Sequence, residues 1–98
     1  MNDITCEEVK SRVEKGEKFH FIDVREEWEY EEANIGAKLI PLGDLPQRVS
    51  EIDALKDEEI IVHCKSGARA NQARKFLVRQ GFSQVRNMTG GIERYLSL

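Results

Sequence analysis

The chain has few cysteines, and their placement excludes several classes of protein. Only Cys6 and Cys64 occur, far apart in sequence and in unlike surroundings. Such a pair provides neither the disulfide framework of a small secreted domain nor the closely spaced ligands of a zinc site. We therefore expect two reduced thiols, with no structural disulfide and no metal or other cofactor.

Long apolar stretches are also missing. No segment approaches the roughly 18 consecutive apolar residues of a transmembrane helix. The first residues lack the basic region and apolar run that mark a secretory signal. The expected location is therefore the cytoplasm, with no membrane partner. The 98 residues, 40% hydrophobic and 34% charged, are expected to form one domain over residues 1–98.

The net charge is small and negative, but it is unevenly distributed. The total of −3 argues against nucleic acid as a partner. Residues 1–60 carry 8 basic and 17 acidic side chains, whereas residues 61–98 carry 7 basic and 1 acidic. The basic part has two interpretations. Arg74, Lys75 and Arg79 form the solvated face of a helix, or the region attracts a small anion.

Apolar segments alternate with helical patterns along the chain. Strands are predicted at residues 19–24, 38–41, 59–63 and 85–87. Helices are predicted after the cap Thr5 and at residues 46–55, 69–80 and 92–98, and a short exposed helix or turn is predicted at residues 25–32. Alternation of this kind, with nearly continuous apolar strands, predicts an α/β fold in which helices cover both faces of a parallel sheet. The segment after residue 63 then lies at the carboxyl ends of the strands, where such sheets bind ligands.

Several side chains are expected to pack in the interior. We predict that the first helix buries Cys6, Val9 and Val13, and that Cys6 is simply a small buried hydrophobic residue. Trp28 and Tyr30 are interpreted as packing anchors rather than as a docking surface for an acceptor. In the same segment, Glu29 or Glu31 is expected to pair with Arg25, while the other carboxylates form a solvated surface.

The segment around Cys64 carries the clearest chemical signal. An apolar strand ends in this cysteine, and a short loop containing Gly67 leads to Arg69 and directly into a helix. Such a loop directs backbone N–H groups at one point, and the helix N-terminus adds about half an elementary positive charge there. Both features, with the cations Lys65 and Arg69, favour the nucleophilic thiolate. We therefore predict that Cys64 is a catalytic nucleophile in an anion-binding loop.

Each loop residue then has an expected role. Lys65 and Arg69 hold the negative charge of a substrate, and Arg69 does so with a planar fork of donors. Gly67 supplies the positive φ angle of a tight loop, Ser66 offers a hydroxyl donor, and Ala68 completes the substrate-binding segment.

The two histidines are expected to be structural. His63 adjoins Cys64 and resembles a partner base, but neighbouring side chains on a strand point to opposite faces of the sheet. His20 lies inside a predicted strand.

Three segments resemble the rhodanese domains of the single-domain sulfurtransferase type. The first is Asp23-Val24-Arg25-Glu26 with Trp28-Glu29-Tyr30, and the second is residues 64–69. The third is Gly81-Phe82 with Asn87-Met88-Thr89-Gly90-Gly91-Ile92. They occur in the order found in that family, with Ile40-Pro41-Leu42 between the first two. The resemblance implies a five-stranded, mostly parallel sheet flanked by helices. It also implies that Cys64 accepts a sulfur atom as a persulfide surrounded by loop N–H groups, and that Asp23 and Arg25 are structural.

Some positions depart from the pattern of the family. Residues 34–37 form a segment one residue shorter than usual and without its histidine, which predicts a local difference in a loop. Ala70 replaces a common serine or threonine whose hydroxyl could bond the thiolate. Tyr95 lies where a tryptophan is frequent, which we interpret as a variation in packing.

The loop length separates two chemistries. Cysteine-dependent phosphatases have about five residues between cysteine and arginine, which wrap the oxygens of a phosphoryl group. Here four residues, 65–68, intervene. A smaller ring suits a single sulfur atom better than a tetrahedral phosphate.

The predicted function is therefore that of a thiosulfate sulfurtransferase. A sulfane sulfur moves from an anionic donor such as thiosulfate to cyanide or a thiol through a persulfide on Cys64, without a cofactor. The acceptor thiol could belong to a thioredoxin-like or sulfur-carrier protein. The alternatives are a persulfide relay or a regulatory rhodanese module that acts on a protein partner and, behind these, a cysteine-dependent phosphatase or arsenate reductase.

Overall fold

Five short strands form one parallel sheet in the computed structural model, which describes residues 3–98. The first two residues of the predicted domain 1–98 lie outside this range. The strands are β1 (Ile4–Thr5), β2 (His20–Asp23), β3 (Lys38–Leu39), β4 (Glu59–His63) and β5 (Gln84–Thr89). Their order across the sheet is β1-β5-β4-β2-β3, and every neighbouring pair is parallel. The predicted parallel sheet is therefore confirmed.

Helices cover both faces of this sheet, as predicted. They are α1 (Cys6–Glu14), α2 (Glu27–Glu32), α3 (Leu45–Arg48), α4 (Ala68–Arg79) and α5 (Gly91–Leu96), with 3₁₀ helices at Leu42–Asp44 and Val49–Leu55. No helix within residues 3–98 is both long and apolar enough to cross a membrane.

The central strand β4 separates two hydrophobic clusters. Its Ile60 and Val62 pack with α4 residues such as Leu77, whereas Ile61 packs on the other face with Cys6 and Val9 of α1. This alternation follows from the two-residue period of a strand. Cys64 continues the face of Ile60 and Val62 and lies in the same cluster as α4.

The strand β1 is absent from the sequence prediction. It is two residues long, too short to show a periodic pattern, and it exists because Ile4 pairs with Met88 of β5. Its second residue, Thr5, also caps α1, since its hydroxyl accepts the N–H of Glu8 at 3.1 Å. One residue thus ends a strand and begins a helix.

Two helical predictions need correction. Residues 46–55 do not form one helix: α3 ends at Arg48, and a 3₁₀ helix continues to Leu55. The β-branched Val49 and the following serine favour the helix only weakly, so the burial of Leu45 and Ile52 decides the local path. In α1, Val13 was expected in the core but is 46% exposed, because it lies in the last turn beyond the buried Val9.

Candidate active site

The loop that follows β4 places Cys64 at the carboxyl edge of the sheet. β4 ends at His63, and α4 begins at Ala68, so only a short segment reverses the chain. Gly67 makes this possible with a φ angle of 117°, in the left-handed region that favours glycine. It is also the N-cap of α4 and offers no side chain to the helix end.

The sulfur of Cys64 accepts hydrogen bonds from two backbone N–H groups. The N–H of Gly67 lies 3.1 Å from Sγ, and the N–H of Ala70 lies 3.3 Å from it. The sulfur therefore occupies the place of an N-cap side chain, whose usual role is to accept from the first turn of a helix. N–H donors and the helix N-terminus both stabilise negative charge on this atom.

Ala70 contributes through its backbone rather than its side chain. The hydroxyl that is common in the family at this position could donate to the thiolate, and Ala70 has none. The structure shows that the N–H of the same residue already donates to Sγ, while the methyl group is buried against the α4 face of the core. Sequence patterns emphasise side chains and so do not reveal this bond.

The start of α5 clamps the beginning of the loop. The N–H of Ile92 donates to the Cys64 carbonyl at 2.9 Å, and the N–H of Glu93 donates to the Lys65 carbonyl at 3.1 Å. Gly91 permits this approach: a Cβ there would lie 2.3 Å from the Lys65 carbonyl oxygen, and its φ angle is 61°. Backbone contacts therefore fix the position of Cys64 from both sides.

Asn87 supports the loop from β5. Its side-chain amide donates to the Gly67 carbonyl at 3.3 Å, and its Oδ1 is buried with no hydrogen-bond partner among residues 3–98. The carbonyl of Gly67 also accepts the N–H of Asn71 inside α4. Asn87 lies in one of the segments that resemble the rhodanese family, but no role is predicted for it from the sequence.

Arg69 is held by a carboxylate from α2. Its Nη1 lies 2.6 Å from Oε1 of Glu29, and its Nη2 lies 2.9 Å from Oε2, which forms a two-pronged ion pair. The hydrogen bond from Arg69 is the main reason that the pKa of Glu29 is lowered to about 2. The expected pairing of Arg25 with the side chain of Glu29 or Glu31 is therefore wrong.

Arg25 instead joins Asp23 to the end of α2. Its Nη2 lies 2.8 Å from Oδ2 of Asp23, and the same nitrogen donates to the Ala33 carbonyl at 2.7 Å. A further bond from Nη1 reaches the Glu29 carbonyl at 3.3 Å. Asp23 and Arg25 are almost fully buried, so this cluster ties α2 to β2 and presents Glu29 to Arg69.

Comparison with known proteins agrees with this geometry. The model of the rhodanese-like domain family matches residues 5–98. This chain belongs to that family. A sulfurtransferase of Allochromatium vinosum is 36% identical over 94% of this chain and 85% of its own length. The rhodanese-like domain protein of Staphylococcus aureus superposes with a TM-score of 0.87 at 27% identity, over 97% of this chain and 91% of the other.

A second relative points to the same chemistry. The Bacillus subtilis protein YrkF, named as a sulfur carrier protein, is 37% identical over 92% of this chain. This chain spans about half of that relative, 48% of its length. Relatives named as sulfurtransferase and as sulfur carrier together support sulfur transfer as the chemistry of this rhodanese-like domain.

The side chains around the rhodanese loop differ in accessibility. Lys65, Ser66 and Ala68 are exposed, whereas Arg69 is half-buried by its ion pair with Glu29. Lys65 lines a cleft of about 170 Å³ whose other lining residues are Arg25, Trp28, Glu29, Glu32, Ile92, Glu93 and Leu96. Lys65 is therefore the accessible cation of the loop.

His63 and Cys6 lie on the face of the sheet opposite Cys64. The His63 ring packs on Phe21 with 4.9 Å between centroids, and burial lowers its pKa. It therefore does not act as a base on Cys64, in agreement with the alternation of side chains along β4. Within residues 3–98, no cluster of three or more His, Cys, Asp or Glu side chains is placed to hold a metal ion.

Trp28 does not pack as expected. Its side chain is 62% exposed on α2, although Tyr30 nearby donates from its hydroxyl to the Ala37 carbonyl at 2.9 Å and does serve as an anchor. In a six-residue helix that begins with Glu27, only part of the circumference can face the sheet. Arg25 and Glu29 determine which part that is.

Proposed function

We propose that this rhodanese-like domain is a thiosulfate sulfurtransferase that carries sulfur as a persulfide on Cys64. The observation that supports this most directly is the pair of backbone N–H donors on Sγ at the N-terminus of α4. They provide what a sulfur nucleophile and an anionic persulfide both need, which is fixed positive dipoles in a buried site.

In the first half-reaction, the Cys64 thiolate attacks the outer sulfur of thiosulfate. A new sulfur–sulfur bond forms to Sγ, the bond inside thiosulfate breaks, and sulfite leaves with the electron pair. The first-turn N–H groups of Ala68 and Arg69 have no partner within the helix, and we assign them to the transferred sulfur. Lys65, exposed beside the loop, attracts the donor anion.

In the second half-reaction, a thiolate or cyanide attacks the outer sulfur of the persulfide. The bond to Sγ breaks, and Cys64 is released as the thiolate that began the cycle. Because a covalent intermediate separates the two halves, ping-pong kinetics are expected. No cofactor takes part in either step.

One observation favours a persulfide relay between proteins as the second candidate. Arg69 is engaged by Glu29, so its guanidinium is not free to hold a small anion unless that pair opens. A protein donor or acceptor would depend less on this cation than thiosulfate does. The relay would use the same Cys64 persulfide.

Intact mass spectrometry after incubation with thiosulfate tests the proposal. We expect the mass of one added sulfur atom, lost again on treatment with a reductant. The four-residue spacer also predicts no appreciable hydrolysis of an aryl phosphate. Robust phosphatase turnover, or no sulfur on the protein after thiosulfate, would overturn the assignment.

A further inference from the structure

An exposed apolar surface lies beside the sulfur loop. Trp28 is 62% exposed and Leu96 is 59% exposed, and both line the cleft that also contains Lys65. A molecule that covers the indole of Trp28 therefore also reaches the residue next to Cys64. Exposed aromatic side chains of this size are frequent energetic centres of protein interfaces.

The surroundings of Trp28 are strongly acidic. A second cleft of about 530 Å³ also includes Trp28 in its lining, and its other lining residues are four acidic residues and Pro41. We use the name acidic Trp28 surface for Trp28 and the exposed carboxylates around it, which are those of Glu26, Glu27, Glu31, Glu32 and Asp44.

These carboxylates differ from other acidic side chains of the protein. Glu29, Glu51 and Glu59 each form an ion pair with an arginine. None of the five carboxylates of the acidic Trp28 surface has a cationic partner within 4 Å in the part of the chain that the structure describes. No neighbouring cation therefore neutralises their charge, although the Glu26 side chain also takes part in the capping box of α2.

We propose that the acidic Trp28 surface docks the sulfur acceptor, and that this acceptor is a protein whose thiol lies in a segment rich in lysine or arginine. The inference rests on the proposed function, because the docked thiol is the nucleophile of its second half-reaction. The acceptor thiolate attacks the outer sulfur of the Cys64 persulfide. The sulfur–sulfur bond to Sγ breaks, and the acceptor leaves with the persulfide while Cys64 remains as thiolate.

Charge and shape select this partner over others. A lysine or arginine of the acceptor can lie over the face of Trp28 in a cation–π contact while its neighbours face the carboxylates. Complementary charge accelerates encounter and excludes acidic partners, and salt weakens both effects. A small thiol such as dithiothreitol gains nothing from this surface, so its rate should not depend on it.

Trp28 provides a direct probe because it is the only tryptophan of the chain. In a Cys64→Ser protein, which removes the sulfur chemistry, a short peptide with lysines on both sides of a serine should change the fluorescence of Trp28 saturably. The same peptide with glutamates in place of the lysines should not. In Glu27→Lys/Glu31→Lys, affinity for the lysine peptide should fall by about fivefold or more at low salt.

Asp57→Lys is the matched control. It changes an exposed carboxylate in the turn before β4, at the end of that strand opposite Cys64, and should leave the titration unchanged. Equal responses to both peptides, or equal affinities in the double variant and in Asp57→Lys, would overturn the docking proposal.

Kinetics separate this proposal from the proposed function. The kinetic assay uses peptides with cysteine in place of serine and proteins that retain Cys64. The lysine peptide should remove sulfur from the Cys64 persulfide more slowly in Glu27→Lys/Glu31→Lys than in the wild type, whereas dithiothreitol should remove it equally fast from both. Because the same peptide is used with both proteins, the intrinsic reactivity of its thiol does not affect the ratio of the two rates. If thiosulfate deposits no sulfur on Cys64, the proposed function fails, and the fluorescence titration still decides whether the surface docks a basic segment.

Discussion

The two cysteines of this protein are equally buried, each 1% exposed, yet the polar atoms around their sulfurs have opposite character. Sγ of Cys6 donates to the carbonyls of Thr89 and Gly91 at 3.2 and 3.3 Å. Sγ of Cys64 accepts from the N–H groups of Gly67 and Ala70. Carbonyl oxygens favour a thiol that keeps its proton, whereas N–H groups favour a sulfur that carries negative charge.

This difference shows that burial alone does not decide the reactivity of a thiol. Burial raises the pKa of Cys6, and the neighbouring Glu7 raises it further. Cys64 is just as inaccessible in the resting structure, but the loop and the first turn of α4 supply donors. Gly91 touches both environments, since its carbonyl accepts from Cys6 and a Cβ at its position would collide with the Lys65 carbonyl.

The largest expected effect is the loss of sulfur loading in Cys64→Ser. This variant should gain no sulfur from thiosulfate, whereas Cys6→Ser should gain one atom as the wild type does, because only Cys64 has N–H donors on its sulfur. Intact mass with and without reductant measures both. Loading that persists in Cys64→Ser would remove the chemical distinction between the two sites.

Substitution of Gly91 should damage both environments. Gly91→Ala places a Cβ 2.3 Å from the Lys65 carbonyl oxygen at a positive φ angle, so the backbone of the loop must move. We expect the free energy of unfolding to fall by about 3 kcal/mol. Sulfur loading should also slow, because movement of the loop backbone displaces the N–H groups that contact the Cys64 sulfur.

Gly36→Ala is the matched control, measured by the same urea titration. Gly36 also has a positive φ, of 86°, but nothing lies within 4 Å of its Cβ position. Gly36→Ala should lower the free energy of unfolding by only about 1 kcal/mol, which is the strain of the backbone alone, and should leave sulfur loading unchanged. Equal costs in the two variants would contradict the proposed clamp.

The two thiols of the wild-type protein should differ in their rates of alkylation. Near neutral pH, iodoacetamide should modify Cys64 at least about tenfold faster than Cys6, since the raised pKa of Cys6 keeps it protonated. Peptide mapping of time points measures the ratio. In denaturant the two rates should converge, because the difference arises from the folded surroundings, and a ratio near one in the native protein would refute the comparison.

The smallest effect concerns the ion pair of Arg69 with Glu29. Arg69 lowers the pKa of Glu29 to about 2 from an ordinary value near 4.5, so the folded state favours the carboxylate. The pair then stabilises the protein above the ordinary pKa, and this stability is lost as the pH falls through about 2. Glu29→Gln should therefore cost about 1 kcal/mol at neutral pH and progressively less in acid.

Thermal unfolding of wild type and Glu29→Gln across this pH range tests the pair. Glu27→Gln is the control, because Glu27 is exposed and has no ion pair within residues 3–98. The stability of Glu27→Gln should differ little from that of the wild type, and the difference should be nearly constant with pH. A pH-independent cost for Glu29→Gln would mean that the carboxylate acts through packing and not through its charge.

Predictions from the sequence succeeded where the determining contacts are close along the chain. The apolar strand β4, the turn at Gly67 and the apolar stripe of α4 all follow from local patterns. The stripe predicted from the sequence comprises Ala70, Ala73, Phe76 and Leu77, of which Phe76 is only partly buried. The opposite orientations of His63 and Cys64 follow from the period of a strand. The parallel sheet follows from alternation of elements and from crossover geometry.

Predictions failed or were silent where partners are distant in sequence. Arg69 and Glu29 are separated by 40 positions, and Asn87 reaches Gly67 across 20. No local pattern reveals that α2 turns Glu29 inwards and Trp28 outwards, because this depends on how Arg25 binds Asp23 and the end of that helix. The strand β1 likewise exists only through its pairing with β5.

Local patterns alone were enough to predict a parallel α/β domain with one cysteine at the junction of a strand and a helix, and with four residues between that cysteine and an arginine. Hydrophobic period, glycine placement and loop length are local properties that can be read without coordinates. Contacts between distant elements set which N–H groups face the sulfur, which carboxylate binds Arg69, and which aromatic ring remains exposed beside the site. These contacts join residues that are far apart in sequence. They depend on how the helices and strands pack together, so no pattern within a single segment can reveal them.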